Sequence, residues 1–280
     1  MKVTVHDSWT FGQLFDLWEM TGKTDLSAFV ESEASRTLDD FWSRHGSRVL
    51  PIPIDELLHD LTLPIEFVEL DAGILATLVT GPEVDPCVVI SHELDWYTHP
   101  KRLGEYALTL AHEVGHFLLQ GSTVDVGDPD QPPQTQMMCR THRKRRTRDF
   151  GSDVYRWNES LMDTFAAFLL MPRDELNDAW RCLLPDVDHV TYPVAGPRGA
   201  AIHRALRLSA AGPIPRLDWL IAKQLAPQFG VTAPAIRKQL KLIGRLVPNT
   251  AHQFRRKNDA IATYLGGFPP ELASRLRSLR

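Results

Sequence analysis

Apolar residues along this chain recur mostly at steps of three and four, which predicts a largely helical protein interrupted by one short β region. Phe11, Leu14, Phe15 and Trp18 form one stripe ending near Gly22. Leu26, Phe29, Val30, Leu38, Phe41 and Trp42 form a second, ending at Gly46. Residues 1–46 therefore read as an N-terminal helical extension whose aromatics need a surface to cover. Pro51 to Leu61 predicts a short helix. Ile65 to Leu70 partly alternates, Gly73 breaks the run, Ile74 to Thr80 continues it, and Cys87 to Ile90 follows the Gly81-Pro82 turn. These segments predict a small, mainly antiparallel three-stranded sheet.

A long helix comes next. Leu103, Ala107, Leu110, Val114 and Phe117 make its apolar stripe, with Pro100 suited to the first turn and Gly121 to the end. A second runs from Trp157 to Met171, with Met162, Phe165, Ala166, Leu169 and Leu170 on one side and Pro172 as its stop. Beyond Pro172 the chain passes Pro185, Tyr192-Pro193 and Gly196-Pro197 without a clear period. Arg216 to Gln228 and Ala233 to Leu242 read as two helices joined by Phe229-Gly230-Val231, with Thr232 placed to cap the second. That outline, residues 216–247, is helix-turn-helix-like. Asn249 to Arg280 adds a helix or two, the last opened by Pro269-Pro270.

The chemistry concentrates on the first long helix, in His112-Glu113-Val114-Gly115-His116. Side chains four apart lie one turn above each other on one helix face, so both imidazoles can reach one metal ion. Glu113 lies beside them, where a carboxylate can take a proton from water. His92-Glu93-Leu94-Asp95-Trp96 begins the same way, but Trp96 stands where a second His is needed. A catalytic zinc ion takes three protein ligands and keeps one position open. On the second helix Glu159 supplies a candidate third ligand. Asp163, one turn further on, is a candidate to hold a ligand imidazole by its other nitrogen. The plainer reading makes these two carboxylates a solvated helix face.

Composition narrows the class. A hydrophobic content of 43% and a charged content of 24% are ordinary for a globular protein. No run of eighteen apolar residues is present, so no membrane span is expected. The first residues lack the apolar stretch of a signal peptide. Cys87, Cys139 and Cys182 are scattered and odd in number, which points to a reducing, cytoplasmic setting. The net charge of -4 conceals an asymmetry: ten of the 31 Lys/Arg but only two of the 35 Asp/Glu lie between Arg237 and Arg280. A basic tail behind an acidic body suits nucleic acid, an acidic partner or a solvated surface. Between the site helices, Ser122 to Tyr155 is long, acidic at first and then basic. Arg140, Arg143, Lys144, Arg145, Arg146 and Arg148 crowd into nine positions. This reads as a substrate-gripping flap, a nucleic-acid contact or a solvated insertion.

The run Leu110-Ala111-His112-Glu113-Val114-Gly115-His116-Phe117-Leu118-Leu119, followed by Glu159 ahead of Phe165-Ala166-Ala167-Phe168-Leu169-Leu170-Met171-Pro172, resembles the ImmA/IrrE family of bacterial and phage metallopeptidases. Upstream, Leu50-Pro51-Ile52-Pro53-Ile54-Asp55 and the strands follow that family's layout. Downstream the likeness reaches Phe229-Gly230-Val231-Thr232, so it spans roughly residues 36–247. Met162-Asp163 replaces the family's usual Ala-Asn or Ala-Asp, and the segment between the site helices is longer and more basic.

The resemblance implies an α+β fold. Residues 47–185 would form a mostly helical, zincin-like metallopeptidase core, and residues 186–280 a C-terminal helical region. It implies a zinc-dependent, gluzincin-like enzyme, with manganese as the alternative metal: His112, His116 and Glu159 as metal ligands, Asp163 behind them, Glu113 as general acid–base. Tyr155, His189, Tyr192 and His203 are candidates to hold the oxyanion or substrate. Metal binding requires neutral imidazoles, so activity is expected to fall below about pH 6 as the His pair protonates. The implied substrate is a helix-turn-helix repressor of a stress response, prophage or mobile element. DNA contact through residues 140–148 and 237–280 is the further partner expectation. The rival class is a non-catalytic regulator with a structural metal that binds DNA or a protein partner.

Overall fold

The stripe of residues 26–42 becomes helix α1 (Lys23–His45), and its apolar side is the reason the helix is held. Leu26, Val30, Ala34, Leu38, Phe41 and Trp42 are all buried. The computed structural model describes residues 23–81, 84–120, 136–141, 153–192 and 217–248. The aromatic stripe at residues 11–18 and the expected C-terminal helices after Asn249 lie outside them.

The architecture is α+β. Helix α2 (Ile54–Asp60) is followed by strands β1 (Ile65–Val68), β2 (Ile74–Gly81) and β3 (Val84–Ser91). Two short 3-10 turns, His92–Leu94 and Pro100–Arg102, lead into helix α3 (Leu103–Gln120). Strand β4 (Gln136–Thr141), helix α4 (Asp153–Leu170), helix α5 (Arg173–Leu183) and strand β5 (Val190–Tyr192) follow. Helices α6 (Leu217–Phe229) and α7 (Ala233–Leu242) and strand β6 (Leu246–Pro248) complete the described chain.

The sheet differs from the three mainly antiparallel strands expected. It has four strands in the order β1-β3-β2-β4 and is mixed. β2 and β3 form an antiparallel hairpin with an irregularity between Val79 and Gly81. β1 lies on the far side of β3 and runs parallel to it, with Ile65 opposite Val88. β4 comes from inside the segment read as a loop and pairs antiparallel with β2. Its pairing is non-local, and a run such as Gln136-Met137-Met138-Cys139-Arg140-Thr141 does not alternate clearly enough to announce a strand. The C-terminal region is likewise not wholly helical, because β5 and β6 pair in parallel.

Two further local readings need correction. Helix α5 escaped the periodicity reading, although Leu176, Ala179 and Trp180 are buried at helical spacing and Asp174 and Glu175 occupy its first turn. The Trp180 indole donates to the Val187 carbonyl at 2.6 Å, tying the end of α5 back onto the chain. Thr232 takes the position before α7 with extended backbone, but its side chain makes no capping bond.

α3 is the central element. Thr109 through His116 are buried without interruption, so the helix is covered on every side rather than on one stripe. Leu103, expected in that stripe, lies at the N-terminal end and is exposed. α3 packs against β2 on one side and α4 on another, and α1 covers α4 from outside. The Tyr106 hydroxyl donates to Asp55, joining α3 to the start of α2. Burial, then the Asp55 hydrogen bond, push the Tyr106 phenol well above its ordinary range, so it keeps that proton. Phe67 of β1 lies parallel to the Tyr106 ring, with centroids 6.3 Å apart.

The α6–α7 pair is built into this core. Ile221, Leu225, Phe229, Ile236 and Leu240 belong to the same buried cluster as Leu110 and Phe165. The turn between the two helices presses on the start of α3. A Cβ placed on Gly104 would stand 2.7 Å from the Val231 carbonyl carbon and 2.9 Å from the Thr232 nitrogen. Both are backbone atoms and have no rotamer to yield. Gly104→Ala is therefore expected to destabilise the protein by about 1–3 kcal/mol, the range of overpacked sites, read as a lower urea midpoint with an unchanged m-value. An unchanged midpoint would mean that the α6–α7 turn does not bear on α3.

Candidate metal centre

The two site helices meet at a glycine. Gly115 stands between the motif histidines, and a Cβ there would lie 3.1 Å from the Phe165 ring and 3.2 Å from the Met162 sulfur. Its missing side chain lets α3 and α4 approach closely at the level of the site. The sequence signal for this contact was present, since a small residue at a helix crossing is a common packing device, but the partner helix was not readable from it.

Across that contact the side chains of His112, His116 and Glu159 converge. His112 Nε2 and His116 Nε2 are 3.1 Å apart. Glu159 brings one carboxylate oxygen to 3.4 Å from His112 Nε2 and the other to 3.4 Å from His116 Nε2. The fit to a metal ion can be tested on these edges. Two ligand atoms about 2.0–2.1 Å from one tetrahedral zinc ion stand roughly 3.3 Å apart. The nitrogen pair and each nitrogen–oxygen contact have that size, the two oxygens of Glu159 each facing one imidazole, and one ligand atom from each residue lies within 4.8 Å of the others. Two imidazole nitrogens and a carboxylate are a set that zinc accepts. Among the described residues, these three form a group able to hold a metal ion.

The orientation of His112 is set from behind. Its Nδ1 lies 3.1 Å from Asp163 Oδ1. An ionised carboxylate only accepts, so Nδ1–H donates, and Nε2 is the nitrogen turned toward His116 and Glu159. The other Asp163 oxygen lies 3.8 Å from Lys238 Nζ on α7. No periodicity or motif marked Lys238 beforehand.

Burial grades the site. His112, His116 and Glu113 are all but inaccessible, whereas the Glu159 and Asp163 side chains are 24% and 43% exposed. Burial pushes the Glu159 carboxyl up, but hydrogen bonds from His112 and His116 and their charge outweigh it and hold the group down at about 2. Glu159 is thus an anion throughout the range in which imidazoles titrate. Glu113 follows His112 directly and has no exposed surface. Burying a carboxylate costs several kcal/mol unless it is paired and hydrogen-bonded.

The remaining candidates are placed as follows. Tyr155 lies in the first turn of α4, four residues before Glu159, but its side chain is outside the described residues, as is that of Tyr192 at the end of β5. His203 is outside them altogether. His189 is half exposed and pairs with Asp188 at 3.5 Å, away from the three converging donors. The motif look-alike at His92 forms a 3-10 turn in which Ser91 accepts from the Glu93 amide, and His92 packs near Phe67. Of the basic segments, residues 142–148 and 249–280 are outside the described residues. In the described part of the tail, Arg237 pairs with buried Asp218, and Arg245 donates to Asn177 at 2.9 Å and to the Asp188 carbonyl at 2.6 Å.

No protein-family model matches this chain, and no curated protein does. Among solved structures it is similar to a Mycobacterium tuberculosis transcriptional regulator, at 15% identity and a TM-score of 0.37. That match covers 82% of this chain and 52% of the other, so the chain spans about half the length of that structure. A likeness of that size defines neither fold nor activity.

Two outcomes follow. Glu159→Gln is expected to weaken zinc binding by more than the roughly 100-fold that marks loss of an outer partner, measured by competition with a chromophoric chelator. In metal-free protein, the depressed Glu159 carboxyl contributes stability that is present above its ordinary value of 4.5 and is lost as pH falls toward 2. The stability gap between wild type and Glu159→Gln, read by denaturant titration, should narrow across that window. A gap that widens there would show that the imidazoles do not hold the carboxylate.

Proposed function

We propose that this chain is a zinc-dependent metallopeptidase with a zincin-like core, of the ImmA/IrrE kind that its motif resembles. The observation that carries the reading is the convergence of His112, His116 and Glu159, with the two nitrogens 3.1 Å apart and each 3.4 Å from a different Glu159 oxygen, and with Glu113 buried next to His112 in sequence. A divalent ion held there supplies Lewis acidity toward a water molecule and a peptide carbonyl.

The chain's own residues do the rest. His112 and His116 offer neutral nitrogens, and Asp163 fixes which nitrogen of His112 faces inward. Glu159 brings one negative charge that balances half of the ion's. Glu113 is not one of the converging donors and is left to take the proton from the attacking water and return it to the departing amine. Manganese would satisfy the same donors, although the nitrogen-rich set favours zinc.

The substrate class follows from the resemblance: a repressor protein with its own helix-turn-helix, cut at one site. The rival reading, a DNA-binding regulator with a structural metal, gains little from α7. A reading helix needs several polar side chains facing outward. On α7 the exposed positions are Pro234, Lys238 and Leu242, and Lys238 is turned toward Asp163. No described helix is long and apolar enough to cross a membrane.

Glu113→Gln tests the proposal directly. The variant should keep zinc at wild-type affinity while cleavage of candidate repressors, followed by mass spectrometry, falls by about 10²–10⁴-fold. Cleavage at the wild-type rate would remove Glu113 from the mechanism. Salt-sensitive binding to duplex DNA that survives the substitution, with no cleavage by either form, would favour the regulator instead.

A further inference from the structure

We propose that Lys238 is a positioning residue of the metal centre, acting on His112 through Asp163. The inference rests on the reading of His112, His116 and Glu159 as metal ligands and extends it to a helix that contributes no ligand.

The Asp163 carboxylate is bracketed. One oxygen accepts from His112 Nδ1 at 3.1 Å, and the other faces Lys238 Nζ at 3.8 Å. At 43% exposure, Asp163 has water available as a competing partner, so its carboxylate needs a second contact to keep it turned toward the imidazole. Lys238 supplies that contact from a fixed origin. Its neighbour Arg237 is joined to Asp218 of α6, a carboxylate that is almost fully buried. The start of α7 follows a turn whose backbone lies against Gly104 of α3. The helix carrying the ammonium group is therefore pinned to the helix carrying the histidines.

As a contributor to stability the pair is minor. Both groups are well exposed, 62% for Lys238, and such pairs contribute little to folding. That makes the positioning role separable from folding. The sign of the effect separates it from simple electrostatics. A lysine near the site repels a cation, so its removal would tighten metal binding if charge alone acted. Removal of an orienting contact loosens binding instead, because the His112 ring loses its fixed direction.

The experiment is a zinc-affinity measurement by chelator competition at low ionic strength on the full chain. Wild type is compared with Lys238→Met, Lys238→Arg, Lys238→Glu, Asp163→Asn and the Lys238→Met/Asp163→Asn double variant. Lys238→Met should weaken zinc binding by about two- to five-fold, the coupling of an exposed ion pair. Lys238→Arg should restore it, and Lys238→Glu should weaken it further. In the Asp163→Asn background Lys238→Met should have no additional effect. The difference between wild type and Lys238→Met should fade near 1 M salt, while urea midpoints stay together. Equal or tighter binding by Lys238→Met, or the same loss with Asp163 already replaced, overturns the proposal while leaving the metal site standing. Failure of the wild-type chain to bind zinc overturns the metal reading itself and this proposal with it.

Discussion

The approach of α3 to α4 at Gly115 governs the rest of the molecule. Two imidazoles in the middle of a helix covered on every side cannot be satisfied by solvent, and the carboxylates of the neighbouring helix meet them: Glu159 faces both and Asp163 holds the far nitrogen of His112. The glycine removes the one side chain that would hold the helices apart, and Phe165 and Met162 fill the space directly against it. The other layers back this contact. β2 supports α3 on its far side, and α1 lies over α4. Arg173 at the start of α5 reaches Glu31 of α1 with two bonds, one of them 2.6 Å, which fastens the outer helix beside the end of α4.

Apart from Glu113, a carboxylate that is fully buried, charge is arranged outward from that contact in order of increasing exposure: buried histidines, a quarter-exposed Glu159, a half-exposed Asp163, then Lys238 at the surface. The order has a physical logic. A neutral imidazole tolerates a dry position better than a carboxylate, and the carboxylates that orient or balance it keep part of their hydration. The depressed Glu159 carboxyl follows from the same arrangement, since two hydrogen-bonded imidazoles outweigh the cost of its partial burial.

The α6–α7 pair has the outline of a DNA-reading unit but the packing of a structural one. Its apolar residues join the central cluster, Arg237 and Lys238 of α7 each meet a carboxylate of the same chain, and Arg245, just beyond α7, donates to the Asp188 carbonyl. A unit committed in this way to the body of the protein holds Lys238 beside Asp163, the carboxylate that contacts His112.

Local pattern determined a great deal by itself. The helical register of His112 and His116 needs only the 3.6-residue repeat, and so does the sharing of one face by Glu159 and Asp163. The limits of α7 and the sites of the first three strands also follow from residues close in sequence. What only the tertiary structure decided are the relations between distant segments. These include the crossing that brings Glu159 to the histidines, the parallel placement of β1 beside β3, the recruitment of β4 from a segment that reads as loop, and the meeting of Lys238 with Asp163. Residues 92–96 show the same division from the other side, because two of the motif's three fixed letters, His92 and Glu93, fall there in a 3-10 turn beside Phe67. Periodicity reports which face of an element is apolar, but not which other face it will meet. That choice belongs to packing among all the elements at once, where a missing side chain at Gly115 or Gly104 counts for as much as any residue present.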